Sequence, residues 1–206
     1  MDFTRPVEAV VPGAQGRILA ILCRTSAELN LRTLADLSGV SLAHAARVVP
    51  RLVELGMVDR RDVPPSVLVR IVPEHLAVRP LLALARLRDS LLEELRRSAK
   101  RIRPAPANIT LFGSVARGHS DAASDLDLVI VRADGVAEDD AMWERTVATY
   151  VERIARVSGN PVNRIDVSVD DVPRLARSRG ELWRAVRRDG IDIFGRLFDD
   201  LTLRNA

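Results

Sequence analysis

Asp125 and Asp127 stand two residues apart in an apolar run made of Leu126, Leu128, Val129, Ile130 and Val131. A short aliphatic run of this kind predicts a buried strand. On a strand, residues two apart project from the same face, so the two carboxylates sit side by side while Leu126, Leu128 and Ile130 pack behind them. Paired carboxylates repel and lose hydration unless a cation lies between them or they stay wet. Oxygen-only ligands favour a hard ion such as Mg²⁺, which keeps waters and takes further ligands from substrate phosphates. Upstream, the apolar residues Ile109, Leu111 and Phe112 meet Gly113-Ser114, and small residues lead on to Gly118. Glycine lets a backbone approach a ligand closely, and a strand-to-helix turn aims free N–H groups at an anion. A phosphate cradle opposite a metal-binding carboxylate pair outlines a phosphoryl- or nucleotidyl-transfer site.

The elements that must hold this pair follow from the same periodicities. The segment from Asn163 to Val169 alternates, with Ile165, Val167 and Val169 on one face and Asp166 and Ser168 on the other. Asp170 and Asp171 fall at a strand end and read as a helix start or turn before Pro173. A helix from Glu138 to Val157 presents Trp143, Val147, Tyr150 and Ile154 as a core stripe, closed by Gly159. Leu182 to Arg188 reads as a short basic helix, and Gly190 to Gly195 as a last strand or turn. Leu76 to Ile102 is expected to form one long amphipathic helix, ended by Pro104 and Pro106. Its end carries Arg96, Arg97, Lys100, Arg101 and Arg103, either as cations favouring a helix C-terminus or as a surface for nucleic acid or an acidic partner.

The combination GSVARG, five residues, then SDLDL resembles the signature of the DNA polymerase β-type nucleotidyltransferases, especially their minimal branch. The resemblance covers about residues 105 to 196, and the ending RRDGIDIFG is similar to the close of such domains. It implies a small mixed sheet with helices and a third carboxylate on a neighbouring strand, for which Asp166 is the candidate. By the same resemblance, Asp125 and Asp127 would bind two Mg²⁺ ions, and Asp166 would bind one of them and help deprotonate the attacking hydroxyl. Gly113 and Ser114 would hold the β- and γ-phosphates of an NTP, with ATP the expected donor. An acceptor on a protein or tRNA would receive the nucleoside monophosphate, and pyrophosphate would leave. Arg117 either neutralises phosphate charge or caps a helix and pairs with a carboxylate. Members similar to this branch act in toxin–antitoxin pairs. The residues before the SD pair are Ala122-Ala123, where the family often has a basic or polar one, which leaves nucleotide and acceptor open.

Residues 1–75 read differently. An irregular arm over 1–13 precedes a helix from Ala14 to Arg24, and Asn30 caps a helix ending at Ser38-Gly39. Ser41 caps a third helix that runs to Leu55 through Pro50, a residue expected to kink it. Met57-Val58 and Val67 to Val72 follow as strands. The pattern resembles a winged helix-turn-helix domain. Its outward residues Ser41, His44, Arg47 and Arg51, with Arg60 and Arg61 on the wing, suit phosphate and guanine contacts to DNA. The alternative is a wing that mediates a homodimer or a protein contact.

The expected fold class is therefore α+β: a winged helix-turn-helix over 1–75, a connecting helix over 76–104 and a nucleotidyltransferase domain over 105–206. With 206 residues, the chain has room for two small domains. Net charge is +3. It is unevenly spread, with 9 basic and 8 acidic groups over residues 1–75, 8 and 3 over 76–106, and 14 and 17 over 107–206. Lys100 is the only lysine, which removes a Walker A loop. The one cysteine, Cys23, excludes a disulfide framework and reads as a buried thiol. Asp2 and Glu8 interrupt any signal peptide, and no apolar stretch is long enough to span a membrane, so a cytoplasmic protein is expected. Two functions compete: an active nucleotidyltransferase with a DNA-binding wing, and a transcriptional regulator whose transferase domain only senses nucleotide. A small-molecule nucleotidyltransferase is disfavoured, because no substrate-binding extension is visible.

Overall fold

Side-chain caps and aliphatic stripes set the first half of the chain. The computed structural model describes residues 1–178 and 180–203. Helix α1 (Pro6–Val10) replaces part of the expected irregular arm, with a proline in its first turn where a missing N–H costs nothing. Helix α2 (Gly13–Arg24) buries Ile18, Leu19 and Leu22. After the two-residue strand β1 (Leu29–Asn30), the Asn30 side chain accepts a hydrogen bond from the Thr33 N–H at 2.8 Å and starts α3 (Leu31–Ser38). Gly39 ends that helix in the left-handed region.

Ser41 caps α4 (Leu42–Glu54), which continues through Pro50. The wing is a tighter hairpin than the sequence suggests. Strands β2 (Val58–Val63) and β3 (Ser66–Ile71) pair antiparallel up to Val63↔Ser66, so residues 59–63 belong to a strand, with Pro64-Pro65 at the turn. The alternation there is hidden because β2 is exposed after Val58. Sheet order is β1-β3-β2. Helix α5 (Val78–Ala85) adds Val78 to a core of Ile18, Leu22, Leu34, Leu52 and Val69.

The single helix expected over 76–102 is two. Helix α5 stops at Arg86, whose φ of −103° and ψ of 18° leave the helical region, and α6 (Leu87–Ala99) follows. Neither proline nor glycine marks the break. The chain divides into two compact units, Arg5–Leu87 and a second formed by Met1–Thr4 with Arg88 onward.

The second unit is built on four strands: β4 (Asn108–Phe112), β5 (Leu126–Val131), β6 (Val162–Val167) and β7 (Ile191–Gly195), in the order β6-β5-β4-β7. Strand β4 runs antiparallel to β5 and β7, whereas β5 and β6 are parallel. The parallel pair is joined by α8 (Ala141–Ser158), capped by Asp140 on the Trp143 N–H at 2.8 Å and closed at Gly159. Short helices complete the unit: α7 (Gly113–Arg117), α9 (Val172–Arg177), α10 (Glu181–Asp189) and α11 (Phe198–Thr202).

One sheet face, with Phe112, Val129, Val131 and Val167, packs with Val172, Val186, Phe198 and Leu201 of the late helices. The opposite face carries Ile109, Leu111, Leu128 and Ile130, all fully buried, and α8 packs along β6. Both faces are thus covered, which suits the near-continuous apolar run of β5. A buried polar clamp ties β4 to β7. Asn108 Nδ2 donates to Asp192 Oδ1 and to the Arg196 carbonyl, each at 2.7 Å, and Thr110 Oγ1 donates to Asp192 Oδ1 at 2.9 Å.

Candidate active site

The ladder between β4 and β5 sets Phe112 opposite Asp127, so the chain turns into α7 directly beside the aspartate. Gly113 follows with φ +79°, and a Cβ there would lie 2.3 Å from Asp127 Oδ2. Only glycine meets both demands, the left-handed backbone and the close approach. Ser114 is the second residue of α7, and no protein group bonds its hydroxyl among the described residues. The first-turn N–H groups of a helix lack intrahelical partners and stay available to an acceptor. Arg88 braces the other end of α7, donating from Nε to the Val115 carbonyl at 3.2 Å and from Nη2 to that of Ala116 at 2.7 Å. The Val115 carbonyl also accepts from the Gly118 N–H at 3.2 Å, so Arg88 adds a second donor to a carbonyl of the last turn.

Asp125 and Asp127 come together as the alternation predicts. A single donor, Asn163 Nδ2, bridges them at 3.1 Å to Asp125 Oδ2 and 3.2 Å to Asp127 Oδ1. The structure brings Gly113, Ser114, Asp125 and Asp127 to one corner of the sheet and does not bring Asp166 to them. In the parallel register Asp127 is level with Asn163, whereas Asp166 is level with Ile130. An offset of three residues turns a side chain to the opposite face. Asp166 accordingly faces α8, accepting from Arg132 Nη1 at 2.6 Å and from Trp143 Nε1 at 2.7 Å. It is a structural tie between β6, the end of β5 and α8.

Asn163 is the residue that a search for acidic side chains passes over. A signal for it exists: Asp127-Val129-Val131 and Asn163-Ile165-Val167 are the same polar-then-apolar series, and they align in register on adjacent parallel strands.

Arg117 pairs with Asp189 at 3.3 Å, the carboxylate option of the two expected. The Arg188 guanidinium, and next the Arg117 one, hold the Asp189 carboxyl below the usual carboxylate range. Two carboxylates within reach of one nitrogen can share a cation, and oxygen donors of this kind fit Mg²⁺ completed by waters and phosphates. Among the described residues no cluster of three or more His, Cys, Asp or Glu could hold a metal ion.

The residues expected at DNA lie apart in sequence and differ in their freedom. Ser41 is occupied as a cap, accepting from the His44 N–H at 3.2 Å and meeting His44 Nδ1 at 2.9 Å. Arg47 and Arg51 are exposed on α4, and their guanidinium groups have no hydrogen bond or ion pair among the described residues. On the wing, Arg60 is held by Asp62 at 2.9 Å, and Arg61 is paired with Glu28.

Comparison with known proteins adds the class. Residues 92–169 match the family described as a nucleotidyltransferase domain. The chain carries a nucleotidyltransferase domain and is, by class, a transferase. No curated protein matches it. Among solved structures, a crystal structure of a toxin-antitoxin with AMP-PNP is 19% identical, covering 55% of this chain and 82% of that one with a TM-score of 0.39. Two mutants of the toxin-antitoxin MntA-HpeT are 18% and 20% identical. They cover 57% and 56% of this chain and 82% and 80% of theirs, with TM-scores of 0.37 and 0.35. Among the described residues, no helix is long and apolar enough to cross a membrane.

Proposed function

We propose that the chain transfers a nucleoside monophosphate from an NTP, with ATP the expected donor, to a hydroxyl on a protein or RNA. The observation that carries this is the close approach of Gly113 to the Asp127 side chain, which sets the strand-to-helix turn against the carboxylate pair. In this reading Gly113 and Ser114 bind the β- and γ-phosphates through backbone N–H groups and the free hydroxyl. Asp125 and Asp127 hold Mg²⁺, which when bound supplies charge neutralisation at the phosphates. The acceptor class rests on the resemblance carried by GSVARG and SDLDL.

The first unit is read as a winged helix-turn-helix that binds DNA. Its support is the order helix, strand, helix, helix, strand, strand around the β1-β3-β2 sheet, with Arg47 and Arg51 on α4 unpaired among the described residues. A DNA-binding unit joined to a transferase fits a protein that controls its own operon, including a toxin–antitoxin pair.

A second reading, a nucleotide-sensing regulator, draws support from one observation: Asp166 is engaged with Arg132 and Trp143, away from the pair. Incubation with each α-³²P NTP, Mg²⁺ and either total tRNA or the product of an adjacent gene separates the two. Label transferred by the wild type and not by Asp125→Asn is expected. Nucleotide binding in calorimetry without any transferred label would select the sensor.

A further inference from the structure

Asp125 and Asp127 are held in the structure by a neutral amide. One nitrogen of Asn163 serves both carboxylates, so the pair's mutual repulsion is relieved by a donor that carries no charge. Its place is fixed by the parallel register that sets Asn163 beside Asp127, and the side chain is exposed, so the amide can turn. A carboxamide offers NH₂ on one side and a carbonyl oxygen on the other. When a cation takes the carboxylate oxygens, a half-turn of the amide replaces a repelling NH₂ by an oxygen ligand. Oxygens of this kind are ordinary partners of hard ions, and ligand charge count tunes how tightly such ions bind.

Resting on the transferase reading above, we propose that Asn163 is the third member of the metal site, a neutral one. The protein alone then binds a single divalent ion on two negative charges, and a second ion arrives only with the phosphates of the nucleotide. Asp166, turned to Arg132 and Trp143 on the other face, takes no part in holding metal.

Mn²⁺ titration of the full chain, read by the spin resonance of the free ion with no nucleotide present, tests this without any assay of turnover. The wild type is expected to bind one ion. Asn163→Asp, which adds a third charge at the same place, should tighten binding about tenfold or more, and Asn163→Ala should weaken it by about tenfold. Asp166→Asn should leave affinity unchanged. Two ions on the nucleotide-free wild type, equal affinity in both Asn163 variants, or a loss in Asp166→Asn as large as that in Asp125→Asn would each overturn the proposal. Wild-type affinity in both Asp125→Asn and Asp127→Asn would remove the underlying site and the proposal with it. Thermal melting of each variant shows whether the fold survives, and the gain expected of Asn163→Asp is an effect that unfolding cannot imitate.

Discussion

Gly113 is the residue on which the site geometry turns. Gly113→Ala would place a methyl group 2.3 Å from Asp127 Oδ2 and force a left-handed backbone costing about 1–2 kcal/mol. Transfer should fall about 10²-fold, as displacement of a reacting group by about 1 Å does, while the melting temperature drops only modestly. Asp125→Asn and Asp127→Asn act by charge and not by shape: each should abolish transfer and leave the fold intact, because they also remove repulsion.

Two titrating groups give further checks at this scale. Burial pushes the Cys23 thiol up to about 11, since the thiolate is disfavoured away from water. Native Cys23 should therefore react slowly with thiol reagents at pH 8 and quickly once the protein is unfolded in urea. Asp189, bonded first to Arg188 and then to Arg117, titrates below its unfolded value. Its contribution is present above the unfolded pKa and fades as pH falls through the folded one. The melting-temperature gap between wild type and Asp189→Asn should then close below about pH 4.

Among the elements, β4 combines apolar packing with a polar clamp. Asn108 is fully buried and joins Asp192 to the Arg196 carbonyl. Asn108→Ala leaves those acceptors short of a donor and should cost about 1–3 kcal/mol, read as a lower urea midpoint with an unchanged slope. Helix α4 poses the opposite case. Pro50 lies inside it and is exposed, so its missing N–H is a loss without a packing gain elsewhere in the helix. Pro50→Ala should raise stability, by up to about 3 kcal/mol, and calorimetry would register the higher melting temperature. The helix runs on through this proline because Ile18, Leu34, Val49 and Leu52 fix its buried face in the core. Such packing outweighs local propensity. The helix expected over 76–102 divides at Arg86, where the residue types alone give no sign of a break.

For the molecule as a whole, charge is the quantity that reaches furthest. Arg47 and Arg51 have no protein partner among the described residues, while Arg60 and Arg61 are paired to Asp62 and Glu28. DNA affinity measured against salt should lose about one unit of log–log slope in Arg47→Ala or Arg51→Ala and change less in Arg61→Ala. Equal slopes in all three would count against a phosphate-contacting α4. Local signals along the chain suffice for the elements that carry them strongly: the caps at Asn30 and Ser41, strands β4 and β5, helix α8, and the pairing of Asp125 with Asp127. Each of these depends on residues close in the chain, where period and cap chemistry speak directly. Which residue stands beside the pair depends on how the strands meet in the folded sheet. Strand alternation says which residues share a face but not which face, nor at what register two strands meet. With apolar residues on both sides of β5, alternation could not tell whether the face of Asn163 or that of Asp166 on β6 meets the aspartate pair. The parallel pairing of Asp127 with Asn163 fixed the answer, and that pairing exists only once α8 has carried the chain back across the sheet.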